Sequence, residues 1–167
     1  MLLKKVYTLV FIRNDTKILL GWKKRGFGVN QWNGFGGKLE PNETIQEAAV
    51  RELKEECCLS VKTADLRNIG HLEFTFEDDP VMMDVRVFST NMYEGVPKET
   101  EEMCPKWFDL DRIPFDDMWP DDKFWFPYML KNKLFYAKFH YKGFDTILHY
   151  NIEELESMED FYAKKST

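Results

Sequence analysis

A chain of 167 residues with 44% apolar side chains holds enough hydrophobic material for one domain with a full core, and needs no disulfide or metal staple to fold. A net charge of −6 and a pI near 5.2 leave no general positive field for a nucleic-acid backbone, so polymeric nucleic acid is excluded as the expected partner. A small anionic substrate stays open where metal ions or a few local cations offset its charge, and three cysteines without C-x-x-C spacing (Cys57, Cys58, Cys104) point to a reducing compartment.

Residues 4–12 and 17–22, rich in Val, Ile, Leu and aromatics, flank Asn14-Asp15 and predict a β-hairpin. The apolar run 6–12 is too short to span a bilayer, and no signal or transit segment is evident. No membrane association is expected, and the cytoplasm is the default location, with a nuclear or mitochondrial share left open. Lys23-Lys24-Arg25 follows as the one run of three basic residues; a basic strand end and an anion-facing cluster are equally good readings. Between Gly26 and Gly37 stand five glycines with Phe27, Trp32 and Phe35 among them, which predicts a loop rather than a strand. It matches neither G-x-G-x-x-G nor the phosphate-binding P-loop, since Lys38 is followed by Leu39.

Residues 45–56 predict a helix, with Thr44 and Glu47 forming a capping box at its start. At 100° per residue, Ile45, Ala48, Ala49, Glu52, Glu55 and Glu56 fall on one stripe, so a stripe that begins apolar turns acidic. Taken alone, such a charge run ordinarily faces solvent. Turned into protein, the three glutamates would repel one another, and a hard divalent cation with oxygen ligands would relieve that repulsion.

Further strands are predicted over 66–76 and 82–90, paired across Asp78-Asp79-Pro80, and a short one over 105–109. A second helix covers 121–131, a last hairpin joins 134–141 to 145–151 around Lys142-Gly143, and the acidic tail from Glu153 reads as helical. His71, His140 and His149 lack metal-ligand spacing and read as core or surface residues. No repeat, low-complexity tract or linker interrupts the chain, so residues 1–167 read as one mixed-sheet α+β domain.

The helix and its flanks carry more than charge. Gly37, five residues, Glu43, seven residues, Arg51-Glu52-Leu53, one residue, Glu55-Glu56, two residues and Leu59 resembles the 23-residue signature of the Nudix hydrolases. The resemblance implies an α/β/α sandwich, a loop-helix-loop signature whose glutamates bind Mg²⁺ or Mn²⁺, and hydrolysis of nucleoside diphosphates linked to another group. It favours an Arg51–Glu43 pair. Cys58 stands where the family has Gly; a side chain in a left-handed helix cap costs up to ~1 to 2 kcal/mol, so strain is expected there without loss of a ligand.

Residues 23–28, 32–37, 83–85, 102–103, 113–115, 118–122 and 125–127 resemble, within that family, the animal oxidised-purine nucleoside triphosphatases, MutT homologues that sanitise the nucleotide pool. This likeness, running from about Tyr7 to Tyr150, implies a base pocket lined by Thr8, Asn33, Trp119, Asp121 and Asp122, with Phe27, Phe74, Met83 and Met103 as apolar walls. It implies Mg²⁺, replaceable by Mn²⁺, on Glu52, Glu55, Glu56, the Gly36 carbonyl and Glu102, with Lys23 on phosphate oxygens and Glu56 ahead of Glu55 and Glu52 as the base. The small-molecule partner is then a purine nucleoside triphosphate (8-oxo-dGTP, 2-oxo-dATP, with O6-methyl-dGTP a further candidate), cleaved to monophosphate and pyrophosphate by a monomer.

Read without the family, 119–122 is a helix start with Pro and Asp in its first turn, and the apolar walls are ordinary core. Two adjacent carboxylates in a desolvated pocket would share a proton, placing a donor beside an acceptor, which suits both 8-oxo-guanine and 2-oxo-adenine. The alternatives are a Nudix enzyme for dinucleoside polyphosphates or ADP-ribose, and a non-catalytic nucleotide-binding module. Intact Glu52, Glu55 and Glu56 weigh against the latter.

Overall fold

Val10, Phe11 and Ile12 are all fully buried, so the first strand has protein on both faces, and the fold is built outward from it. The computed structural model describes residues 1–166. Its elements run β1 (Leu3–Arg13), β2 (Lys17–Lys23), β3 (Trp32–Asn33), α1 (Ile45–Cys57), β4 (Arg67–Phe76), β5 (Asp79–Thr90), β6 (Met103–Asp109), α2 (Asp122–Leu130), β7 (Leu134–Lys142), β8 (Thr146–Leu155) and α3 (Met158–Lys165). Asn14 makes the first turn by accepting the N–H groups of Thr16 and Lys17 on its side-chain carbonyl.

The strands form one mixed sheet in the order β3-β2-β1-β5-β4-β7-β8, with β6 along β2. β1 is parallel to β5 over Leu3↔Val81 to Ile12↔Thr90, and β4 is parallel to β7, while the remaining pairs are antiparallel. β1 pairs with β2 only at Ile12↔Leu19 and Arg13↔Ile18. Beyond that the two strands part, and the gap is filled by β3 against β2 and by Phe35 and Lys38, which bridge to Val10 and Tyr7. The loop predicted over 26–37 therefore contains a short strand, because the parting of β1 and β2 leaves backbone groups that 32–38 satisfies.

Alternation along β1 separates two cores. Val10 and Ile12 join Leu19, Phe88 and the α1 residues Ala49, Leu53 and Cys57. Phe11 joins Ile18, Leu20, Phe135 and the α2 residues Trp125, Phe126 and Met129. With a helix on each face this is the α/β/α sandwich, of α+β class, that was expected. α3 lies on the face that Phe88 shares, where the Tyr162 hydroxyl meets Asn68 and His71 and Arg86 sits 4.3 Å over the Tyr162 ring.

The capping box at Thr44 and Glu47 is present in both directions, and Cys58 is left-handed at φ 69°. Several boundaries differ from the sequence reading. β5 starts at Asp79 and β6 at Met103, while α2 spans Asp122–Leu130. The tail is not helical from Glu153: β8 continues to Leu155, because Glu153 and Glu154 still pair with Tyr136 and Phe135, and the helix begins at Met158 behind a Ser157 cap. Among the described residues no helix is long and apolar enough to cross a membrane.

Candidate active site

The site lies where Gly36 and Gly37 run beside β1. The Thr8 N–H donates to the Gly37 carbonyl at 2.9 Å, and a Cβ on Gly36 would stand 1.8 Å from the Thr8 carbonyl oxygen. A Cβ on Gly37 would stand 2.5 Å from the Glu52 carboxylate, so glycine at both positions lets the loop touch strand and helix together.

Glu56, only 4% exposed, reaches back under this loop. Its Oε1 accepts the Gly36 N–H at 2.8 Å and its Oε2 lies 3.5 Å from Lys23 Nζ. Burial pushes its pKa up to about 7, with Lys23 and the Gly36 N–H pulling the other way. Burial likewise raises Glu52, opposed by Arg51. The Arg51 guanidinium holds both Glu43 oxygens (2.7 and 3.0 Å), takes Glu52 at 2.9 Å and touches Glu55 at 3.4 Å. The expected Arg51–Glu43 pair is thus a two-toothed one, and Arg51 orders the acidic end of the helix.

The acidic stripe divides. Glu56 is buried, Glu52 is half-buried and Glu55 turns outward, 57% exposed at its side chain. The basic run divides too: Lys24 pairs with Glu99, and Arg25 with Glu101 and Glu102, leaving Lys23 alone to face the cleft, 3.4 Å from Glu102. Arg25 keeps the Glu102 carboxyl below its ordinary value.

Thr8, Lys23, Gly36 and Glu56 open into a cleft of about 260 Å³ whose far end is lined by Phe27, Asn33, Phe74, Met83, Met103, Trp119, Asp121 and Asp122. Twelve of the fifteen residues expected at the site meet there; Glu52, Glu55 and Glu102 flank it. Phe27 stands 5.2 Å from Trp119, ring to ring. The Asn33 side-chain carbonyl accepts the Gly34 N–H at 2.8 Å, which fixes the amide and leaves its NH₂ and one remaining lone pair for a ligand.

Asp121 is held by protein on both oxygens. Tyr141 donates its hydroxyl to Oδ1 at 2.5 Å and Trp125 donates its indole N–H to Oδ2 at 2.8 Å. It occupies the N-cap position of α2, yet its side chain caps nothing. Asp122 is as deeply buried, and its Oδ2 has no hydrogen-bond partner. Burial raises both pKa values, but the donors around Asp121 favour its charged form, whereas the Asp121 charge drives Asp122 further up. The upward push is therefore the stronger on Asp122, which of the two takes a proton more readily. Tyr141 was missed in the sequence because it lies 20 residues from its partner and reads as an ordinary inward residue of the last hairpin.

Nudix hydrolases generally use divalent metal ions. Among the described residues no three His, Cys, Asp or Glu side chains already converge as a cage. The donors nonetheless suit a hard cation: Glu52 and Glu56 are carboxylates that burial penalises when charged, and an ion beside them would lift that penalty. Glu55 and Glu102 are held by Arg51 and by Arg25 and Lys23.

The sequence matches the NUDIX domain over residues 3–129. It is 50% identical over 153 residues to an oxidized purine nucleoside triphosphate hydrolase of Mus musculus, covering 92% of this chain and 97% of that one. A Danio rerio protein of the same description is 48% identical over 158 residues, covering 95% and 100%. Among solved structures, a MutT protein from Bacillus halodurans superimposes with a TM-score of 0.79 at 26% identity, over 89% of this chain and 97% of that one. A match over most of the chain, to a family whose signature helix and glycine loop stand in the geometry just described, makes this protein a member of the Nudix hydrolase family.

Proposed function

We propose that the chain hydrolyses oxidised purine nucleoside triphosphates, 8-oxo-dGTP and 2-oxo-dATP foremost and O6-methyl-dGTP as a further candidate, to monophosphate and pyrophosphate, and so sanitises the nucleotide pool. One observation carries this reading: a single cleft joins the buried Asp121–Asp122 pair and its aromatic and methionine walls to Lys23 and Glu56 beneath the glycine loop. A purine stacks on Phe27 and Trp119 while Asp122, holding the proton, donates to a base carbonyl and Asp121 supplies negative charge behind it.

The triphosphate runs toward Lys23, whose ammonium offsets phosphate charge at the Glu56 end. Mg²⁺, with Mn²⁺ able to replace it, is the proposed ion, held by Glu52 and Glu56 with the Gly36 carbonyl and with Glu55 and Glu102 released from their arginine partners. When bound, such an ion neutralises phosphate oxygens and acidifies water. Glu56 is placed to take up a proton near neutral pH, because burial has already brought its pKa to about 7.

The test is a steady-state panel with 8-oxo-dGTP, 2-oxo-dATP, O6-methyl-dGTP and dGTP, run beside ADP-ribose and a dinucleoside polyphosphate, with products identified. Preference for the oxidised purines with pyrophosphate release is expected. Preference for ADP-ribose or the dinucleoside polyphosphate would replace the substrate assignment, and no turnover with Mg²⁺ or Mn²⁺ would make the chain a binding module.

A further inference from the structure

Phe144 stands at the tip of the β7–β8 hairpin, just after Gly143, whose φ of 62° makes the turn. Its side chain is apolar and the residue is 58% exposed, where turns ordinarily carry polar groups. It does not line the cleft. Its ring nevertheless lies 5.4 Å from Phe27, 5.9 Å from Trp119 and 5.6 Å from Phe76, and all three of those rings do line it. Each contact is edge-to-face, at 85°, 78° and 72°.

Phe27 has little else to fix it. It sits between Gly26 and Gly28, both at positive φ (80° and 84°), and is itself 54% exposed. Trp119 comes from a different segment, between a 3₁₀ turn and α2. Phe27 and Trp119, 5.2 Å apart with their planes tilted at 40°, come from segments with no strand pairing between them, and among the described residues Phe144 is the ring that packs edge-on against both. Stacking of a planar base demands a fixed ring plane, and ordering a free side chain at the moment of binding weakens affinity.

We propose that Phe144 is a positioning residue for the substrate base: by holding Phe27 and Trp119 in place at the pocket mouth it sets affinity for purines without touching the reacting phosphates. This rests on the nucleotide-hydrolase reading above. Because the ring acts on stacking planes and not on the hydrogen-bonding edge of the base, its effect is common to 8-oxo-dGTP and dGTP.

The experiment compares Phe144→Ala and Phe144→Tyr in the full chain by steady-state kinetics with Mg²⁺ and by titration calorimetry with 8-oxo-dGMP, which is not turned over. For Phe144→Ala, KM for 8-oxo-dGTP and dGTP is expected to rise together by roughly fivefold or more, the scale of part of a stacking contact, with kcat within about twofold. The Kd for 8-oxo-dGMP should rise in parallel, and Phe144→Tyr, which keeps the ring, should restore both. Unchanged KM and Kd in Phe144→Ala overturns the inference, and so does an equal rise in the alanine and tyrosine variants, which would mark disturbance of the hairpin. Absent triphosphate turnover with a Phe144-dependent Kd for the monophosphate would overturn the hydrolase reading and leave this one standing.

Discussion

Asp121 and Tyr141 exchange two hydrogen bonds across 20 residues of chain: the tyrosine hydroxyl donates to Oδ1 at 2.5 Å and accepts the Asp121 backbone N–H at 3.1 Å. With Trp125 on the other carboxylate oxygen, Asp121 is saturated by protein, whereas its neighbour Asp122 keeps one buried oxygen free. Two adjacent aspartates thus differ in what they offer: Asp121 is committed to the pocket wall, and Asp122 is the one that the proposed function sets against the base.

The two amide variants should separate these duties. Asp121→Asn sets an NH₂ against a tyrosine or indole donor, so stability should fall by about 1 to 3 kcal/mol, seen as a lower Tm. Asp122→Asn keeps the fold but locks a donor and an acceptor in place, so the proton no longer adapts to the base. The ratio of kcat/KM for 8-oxo-dGTP to that for 2-oxo-dATP should shift by roughly tenfold or more, with the metal dependence of the rate unchanged. Equal loss on every nucleotide, pyrimidines included, would reduce Asp122 to a structural role.

Cys58 occupies the left-handed cap at φ 69°, ψ 12°, its N–H on the Lys54 carbonyl at 3.0 Å. Cys58 is not among the ligands expected at the site, so Cys58→Gly should stabilise the protein by about 1 kcal/mol with kcat unchanged. Thermal unfolding with activity measured on the same sample decides it. A drop in rate would show that the thiol has work to do.

On the back of the pocket floor, Asp84 meets His71 Nε2 and the Lys4 ammonium. Burial raises the Asp84 pKa, but His71 and then Lys4 outweigh burial and bring it down to about 2 from 3.8. A carboxylate depressed in the folded state adds stability above its unfolded pKa, and that stability disappears as pH falls from about 3.8 through about 2. The contribution is at most about 2 kcal/mol, reduced by solvent screening. Asp84→Asn should flatten the acid limb of a urea-unfolding series between those pH values. An acid limb as steep as that of the parent would remove Asp84 from the account.

Local pattern carried much of this fold. Hairpin turns, the α1 capping box and the Arg51–Glu43 pair all depend on residues within about a dozen positions of one another. Where the sequence misled, the cause was distance or angle. Glu55 and Glu56 differ by 100° on α1, and periodicity alone does not say on which side of that interval the buried edge falls; packing against the glycine loop puts Glu56 inside and leaves Glu55 with Arg51. The Asp121–Tyr141 contact depends on where β7 joins the sheet, which no local signal specifies. Phe144 left a trace, an aromatic after glycine in a turn, but its meaning required the positions of Phe27 and Trp119.

The buried helix glutamates offer the sharpest test of metal binding, because it can be read without turnover. In chelator-treated protein, burial holds the Glu56 pKa at about 7 against an ordinary 4.5, so the folded state keeps a proton that the unfolded chain has released. The sign is opposite to that of Asp84: metal-free stability should fall as pH rises from about 4.5 to about 7, by up to roughly 3 kcal/mol. A divalent ion favours the ionised carboxylates and should restore stability most at and above pH 7. Glu56→Gln removes the titrating group, so it should flatten the metal-free profile and weaken the response to Mg²⁺ and Mn²⁺. Glu55→Gln, with its side chain exposed, should leave the metal-free profile almost unchanged. Either variant should lower turnover by at least about tenfold, since each removes a charged ligand while keeping its shape. A triple Glu52→Gln, Glu55→Gln, Glu56→Gln protein that still gains stability from Mg²⁺ and still releases pyrophosphate at the parent rate would put both the ion and the chemistry elsewhere.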